Sequence, residues 1–221
     1  MPKSPSRNTR LVVAAAVAVP LVACVAVLLA LIVAGDPFIW RPDFHYPERP
    51  SHYYTAREAL EIALPQVPSW HQDALITFMY TGPGDPQVWG IRDDGKVPIW
   101  IFDVASPSSM VRTAITVIDD VAFVSGLDGH PELPLRSEPK PLPLDWVIDT
   151  HQAFAIARTA GARGLPTTIM TARRSRVDAG GSRTGEVIAL GWLLSYGDRG
   201  RAPYVLVDAF SGAILQNDFA P

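Results

Sequence analysis

The five histidines are the residues of this chain best suited to acid–base or metal chemistry. They are His45, His52, His71, His130 and His151. None of the zinc-ligand spacings HExxH, HxH or paired Cys and His occurs among them, and the sequence contains neither a Gly-x-Ser-x-Gly elbow nor a glycine-rich phosphate loop. A hydrolase would require a serine, a histidine and an acid from distant positions to converge in the fold. We therefore predict no enzyme activity, no cofactor and no metal.

Two aspartate pairs, Asp93-Asp94 and Asp119-Asp120, offer carboxylates that a cation would favour. A calcium loop needs alternating oxygen ligands and a central glycine, and neither pair is followed by that pattern. We predict that both pairs lie in turns or at solvated sheet edges.

Four arginines flank the hairpin signal Gly180-Gly181. They are Arg173, Arg174, Arg176 and Arg183. This cluster is suited to contact anionic lipid, cell-wall polymer or an acidic protein face. Alternatively, it is a solvated hairpin whose charges discourage aggregation at a sheet edge. The chain as a whole has 22 acidic against 19 basic residues, which argues against nucleic acid as a partner.

Cys24 is the single cysteine, so no intramolecular disulfide can form. The residues Leu21-Val22-Ala23-Cys24 match the pattern that a lipoprotein signal peptidase recognises, which makes Cys24 a candidate for lipidation. However, the ten residues after Cys24 stay apolar where a lipoprotein normally turns polar. Cleavage of a simple signal peptide near Ala34-Gly35 is a further alternative.

We favour an uncleaved membrane anchor at residues 11–34, which contain no charged side chain. At 1.5 Å rise per residue, such a helix spans about 36 Å, against a hydrocarbon core of about 30 Å. The preceding tail, residues 1–10, carries Lys3, Arg7 and Arg10. By the positive-inside rule, the tail stays in the cytoplasm and the large C-terminal part is exported. The predicted location is therefore the cell membrane, with one pass.

Residues 35–54 combine four prolines with several aromatic rings. Prolines prevent a regular helix here. The rings either form an aromatic belt at the lipid headgroups, with Arg41 and Arg49 near the phosphates, or pack against the folded part of the chain.

Residues 55–130 are predicted to form a first folded unit, which begins with the capping box Thr55 to Glu58. A short amphipathic helix is expected before Pro65. Strands are predicted at residues 74–80, 88–91, 97–105 and 110–118 because apolar runs alternate there with turn signals. Residues 131–144 contain five prolines and read as a semi-extended linker.

Residues 145–221 repeat this order as a second unit. Asp149 and Gln152 form a capping-box pattern before an alanine-rich helical face, and strands are predicted at 167–172, 187–196 and 204–215. Matching positions are Thr55, Ala59, Ile62 and Ala63 with Asp149, Ala153, Ile156 and Ala157, then Trp100 with Trp192, and residues 116–119 with 205–208. The shared order favours a tandem duplication.

The residues DTHQAFAIARTAG, GWLLSY and YVLVDAFSGAIL resemble the PepSY domain family, and the resemblance is clearer in the second unit than in the first. In the first unit Asp119-Asp120 lacks the glycine that follows the aspartate in the family pattern. The resemblance implies an α+β fold of two cystatin-like units, each with a helix packed on an antiparallel sheet. It brings no catalytic residues.

The predicted function is that of a non-catalytic, membrane-anchored extracytoplasmic protein. By the same resemblance it would bind and modulate an envelope protein, such as a peptidase or a cell-wall enzyme. One alternative is a module that binds a ligand, lipid or glycan through the arginine hairpin. The other is an unrecognised hydrolase.

Overall fold

The computed structural model describes residues 49–81, 90–127, 130–177, 183–197 and 202–219, without the side chains of 173–177 and 183–189. All described residues belong to one compact unit. The predicted anchor at 11–34, Cys24, His45 and most of segment 35–54 lie outside them. Within the described ranges, no helix has both the length and the apolar character needed to cross a membrane.

Three helices in the described part of the chain begin where the sequence supplies a cap or a proline. Helix α1, Ala56–Ala63, starts at Thr55, and helix α3, Thr150–Thr159, starts at Asp149; both have complete capping boxes. Between them, the short helix α2, Gln66–Trp70, follows Pro65. The buried faces of α1 and α3 are rich in alanine, which lets both helices approach the sheet closely.

Nine described strands form one antiparallel sheet. Eight of them lie in the order β4-β3-β2-β1-β6-β7-β8-β9, and β5 pairs with the far end of β3. The strands are β1 Leu75–Thr81, β2 Trp100–Ser106, β3 Val111–Ile118, β4 Val121–Val124, β5 Leu133–Pro134, β6 Thr168–Val177, β7 Arg183–Ser195, β8 Tyr204–Asp208 and β9 Ile214–Asn217. The predicted α+β class is confirmed.

The sheet consists of two halves with the same order of elements. In each half a helix is followed by a meander of four strands, and the first strands of the two halves, β1 and β6, are neighbours. The predicted units 55–130 and 145–221 thus supply the two sides of a single sheet. Their apolar residues also belong to one core.

The seam between β1 and β6 depends on two threonine hydroxyls. The described strand pairing consists of Tyr80 opposite Met170. On one side of this pair the Met79 amide donates to Thr171 Oγ1 (3.1 Å), and on the other the Ile169 amide donates to Thr81 Oγ1 (3.1 Å). Both threonines are buried. The two bonds are related as expected for a local two-fold axis through the Tyr80–Met170 pair.

Three buried tryptophans occupy the core beneath the helices. Trp192 packs edge-on against both Trp100 and Trp146, with ring centroids 6.3 and 5.4 Å apart. Trp100 Nε1 donates to the Tyr54 carbonyl (3.3 Å), and Trp192 Nε1 donates to the Ile148 carbonyl (2.6 Å). Each acceptor immediately precedes the cap residue of its half's helix. Each indole therefore ties a strand to the start of a helix.

The proline-rich segment 131–144 packs along the sheet. The Leu135 amide donates to the Met110 carbonyl, and the Leu142 amide donates to the Ile76 carbonyl (2.7 Å). Leu142 itself is buried in the core. Contact with β1 and β3 therefore fixes this extended segment.

The strand predictions were accurate for residues that enter the core and poorer elsewhere. The run predicted as one strand at 204–215 is two strands, β8 and β9, because the chain reverses at a turn that includes Gly212 (φ +73°). Strand β4 was not predicted. Most of the strand predicted at 88–91 lies outside the described residues, and residues 90 and 91 are not in a strand.

Candidate functional site

A surface cleft of about 400 Å³ lies where the first turns of α1 and α3 meet. Its lining residues come from both halves of the fold and are mostly charged. They are Thr55, Arg57, Glu58, Glu61, Asp94, Lys96, Asp149 and His151. We refer to this site as the helix-junction cleft.

The two helix starts are joined directly at the cleft. The Ala56 amide of α1 donates to Thr150 Oγ1 of α3 (3.1 Å), in a buried position. Thr55 Oγ1 accepts from the Glu58 amide (3.3 Å), and Asp149 Oδ1 accepts from the Thr150 amide (2.7 Å). Side chains of the protein itself therefore cap both helices. Recognition in the cleft consequently depends on its side chains rather than on free backbone amides.

The acidic wall of the cleft is organised around Glu58. Its carboxylate accepts from Lys96 Nζ (2.9 Å) and from the Thr55 amide (2.7 Å). Partial burial raises the pKa of Glu58, but the hydrogen bonds from Lys96 and Thr55 outweigh it and leave that pKa below its ordinary value. Asp94 Oδ1 accepts from the Lys96 amide (3.1 Å). Glu58 is therefore charged at neutral pH.

Arg57 and His151 form the other side of the cleft. The Arg57 guanidinium donates to the Trp146 carbonyl and lies over its ring, 5.6 Å from the centroid. This contact restrains the arginine, so its charge has a fixed position. His151 Nδ1 lies 4.0 Å from Asp149 Oδ2, and the imidazole is about half exposed.

The cleft is suited to binding a charged partner. The lining contains four carboxylates and two permanent cations, Arg57 and Lys96, so the site is negative overall when His151 is neutral. The one hydroxyl among the lining residues, Thr55, caps α1. Because both charge signs line the cleft and carboxylates outnumber cations, it offers complementary contacts to a basic or zwitterionic segment of a protein.

The histidines in the described part of the chain lie at separate places and do not form one site. His52 Nδ1 lies 2.8 Å from Asp120 and 3.3 Å from Ser51 Oγ. A catalytic relay uses opposite ring nitrogens for the acid and the nucleophile, and this arrangement uses the same one. The described contact of His130 is a pair of backbone hydrogen bonds with Leu127.

His71 has a hydroxyl and a carboxylate on opposite nitrogens, but both contacts are long. Ser109 Oγ is 3.5 Å from Nδ1, and Glu132 Oε1 is 3.6 Å from Nε2. These distances are at or beyond the limit of a hydrogen bond. The same Glu132 oxygen accepts from Trp70 Nε1 at 2.9 Å. These three side chains therefore form a surface contact between the β2–β3 turn and residue 132.

Both predicted aspartate pairs lie in turns. Asp119 and Asp120 connect β3 to β4 with left-handed φ angles of +46° and +63°. Asp119 Oδ1 accepts from the amide (2.8 Å) and hydroxyl (2.7 Å) of Ser51. Burial raises the pKa of Asp119, but the Ser51 and His52 hydrogen bonds leave it below the ordinary value. The pair thus fastens residues 51–52 to the sheet, a role that we did not predict.

The four predicted arginines lie on β6 and β7, on the side of Gly191 where no described pairing joins β7 to β8. β7 pairs with β8 from Gly191 onward, whereas its earlier residues pair with β6. Arg173 is opposite Leu190, Arg174 is opposite Ala189, and Val177 is opposite Arg183. The backbone therefore brings the four residues together on a two-stranded ribbon, which we call the arginine ribbon. Their side chains are outside the described part of the structure.

No family model matches the chain, and no curated protein matches it. One solved structure, a candidate lipoprotein of Clostridium difficile 630, is similar at 13% identity with a TM-score of 0.45, covering 69% of this chain and 87% of that one. This likeness is too distant to carry an argument about function.

Proposed function

We propose that this is an exported, membrane-anchored protein that binds and modulates an envelope protein through the helix-junction cleft. The observation that carries the proposal is the composition of the cleft: the first half supplies both permanent cations and three of the four carboxylates, and the start of α3 adds Asp149 and His151 beside them. The apolar run at residues 11–34 and the basic tail before it support the anchor and its orientation.

The proposal includes a tandem PepSY-like origin for the two halves. Three features support it: each half has one main helix before four strands, each has a capping box, and each has a tryptophan bonded to the carbonyl before the cap. The reciprocal threonine bonds at the seam add a fourth. On this proposal, duplication created the cleft by placing two helix starts side by side.

Affinity capture from envelope extracts, with the full chain in detergent as bait, tests this function. We expect a protein to be retained by the wild type and lost with Glu61→Lys, which reverses an exposed charge in the cleft. Glu138→Lys makes the same change at an exposed position outside it and should retain the partner. Equal retention by both variants would remove the cleft from the proposal.

A second candidate is binding of an anionic lipid or cell-wall polymer by the arginine ribbon. The pairing of β6 with β7 favours it, because it concentrates four arginines on two neighbouring strands. Sedimentation with vesicles of anionic lipid is the assay. Replacing Arg173, Arg174 and Arg176 with glutamate should abolish binding, whereas neutral vesicles should bind neither form.

A further inference from the structure

A row of apolar side chains crosses the sheet on the face turned away from the helices. Consecutive strand pairs place its members directly opposite one another, from β2 through β1, β6 and β7 to β8. The row consists of Ile101, Tyr80, Met170, Leu193 and Leu206. We call it the cross-strand row.

Alternation along each strand shows that the row lies opposite the core. Its neighbours Trp100, Phe102, Met79, Ile169, Trp192, Leu194, Val205 and Val207 are buried in the core. The five residues of the row are partly exposed instead. When one face of an antiparallel sheet meets water, that face normally carries polar side chains. An apolar row on this face therefore indicates a surface for contact.

The local geometry makes the row low and broad. Gly191, on β7, has no side chain, and a Cβ placed there would lie 2.7 Å from Leu206 Cδ1. The Leu206 side chain thus lies flat over the glycine and fills the gap between β7 and β8.

The dimensions of the row limit what can cover it. Five strands spaced about 4.8 Å apart give the row a length of about 19 Å. Each row residue, together with the two residues before it and the two after it on its strand, covers about 17 Å along the strand, which is the width of the patch. The resulting area, about 300 Å², is well below the roughly 800 Å² per partner in a stable protein dimer. A second copy of this chain packed face to face is therefore a poor fit.

Backbone hydrogen bonding favours a helix as the occupant. The strand backbones under the row already pair with their neighbours, so this face offers no partners for an added strand. An α-helix satisfies its own backbone groups, and about 13 residues of helix span 19 Å. We propose that the cross-strand row docks an amphipathic helix of a partner protein, with an apolar stripe of three to four turns. This surface is separate from the helix-junction cleft.

Photo-crosslinking tests this proposal. The full chain carries the photo-reactive residue and is expressed in cells of its source organism. A benzophenone amino acid replaces Leu193, a member of the row, and in a control it replaces Ala155, an exposed residue of α3 on the helix side of the sheet. We expect the Leu193 probe to give an adduct at least tenfold above the control. Sequencing by mass spectrometry should map it to a segment with apolar residues at i, i+3, i+4 and i+7.

Adducts to a second copy of the chain, to residues 36–48 of the same chain, or to lipid would each overturn the proposal, as would a signal no higher than the control. With the probe at Met170, Leu206→Gln should reduce the adduct while the thermal midpoint stays within a few degrees. Glu61→Lys, which alters the cleft, should leave the adduct unchanged. The docking row and the proposed cleft function can therefore fail independently.

Discussion

Replacing Thr171 with valine tests whether the two halves of the sheet depend on the threonine seam. Thr171 is 2% exposed, and its hydroxyl accepts from the Met79 amide (3.1 Å) and donates to the Met79 carbonyl (3.3 Å). Valine has nearly the same shape but no hydroxyl, so both backbone groups lose that partner. A buried polar group left unpaired costs about 1–3 kcal/mol. We therefore expect a loss of about 2–4 kcal/mol in the free energy of unfolding.

Urea unfolding of the full chain in detergent, followed by tryptophan fluorescence, measures this loss. The buried Trp100, Trp146 and Trp192 report on the common core of both halves. With an m-value of about 2 kcal/mol/M, the midpoint should fall by about 1–2 M in a single transition. Thr171→Ser keeps the hydroxyl and loses one buried methyl, so it should cost about 1 kcal/mol.

An equal loss in both variants would show that packing of the methyl, and not the hydrogen bonds, holds the seam. Two separate transitions in the wild type would refute the stronger claim that the halves fold as one unit. Thr81→Val supplies an independent check. Its hydroxyl accepts from the Ile169 amide, and its removal should cost about 1–3 kcal/mol.

Three further predictions concern single positions. The hydrogen bond from Ser106, followed by those from Ser108, lowers the pKa of Asp73 to about 2. The stabilisation that the Asp73 carboxylate gives is therefore complete above the pKa of about 3.9 in the unfolded chain, and it is lost as the pH falls towards 2. The difference in urea midpoint between wild type and Asp73→Asn should shrink between these pH values, and a difference that stays constant with pH would contradict this. Gly95→Ala should lower the free energy of unfolding, measured by thermal unfolding, by about 1–3 kcal/mol, because Gly95 has φ +78° and an added Cβ would lie 2.9 Å from Phe154 Cβ. The control Gly164→Ala has a similar φ of +79° but no atom within 4 Å of the added Cβ, so it should show only the cost of the backbone strain. Trp192→Phe should cost about 2–4 kcal/mol by removing the donor to Ile148 and part of the core, and hydrogen exchange should rise at the start of α3 rather than α1.

The cleft could be predicted only in part from the sequence. Thr55, Glu58 and Asp149 were identified as helix-capping residues because a capping box is complete within four consecutive residues. Their meeting in one site was not predicted. It depends on the bond between Ala56 and Thr150, which are 94 positions apart.

The sequence by itself determined the local elements. Capping boxes set the starts of α1 and α3, and alternating apolar runs set most of the strands that face the core, because both signals lie within one element. The aspartate pairs were correctly placed in turns for the same reason. Tertiary structure alone decided that β1 pairs with β6, that Asp119 binds Ser51, and that five apolar residues align across the sheet. Each of these depends on strand register or on contacts between residues far apart in the chain, and the alternation within a single strand carries no information about which strand will lie beside it.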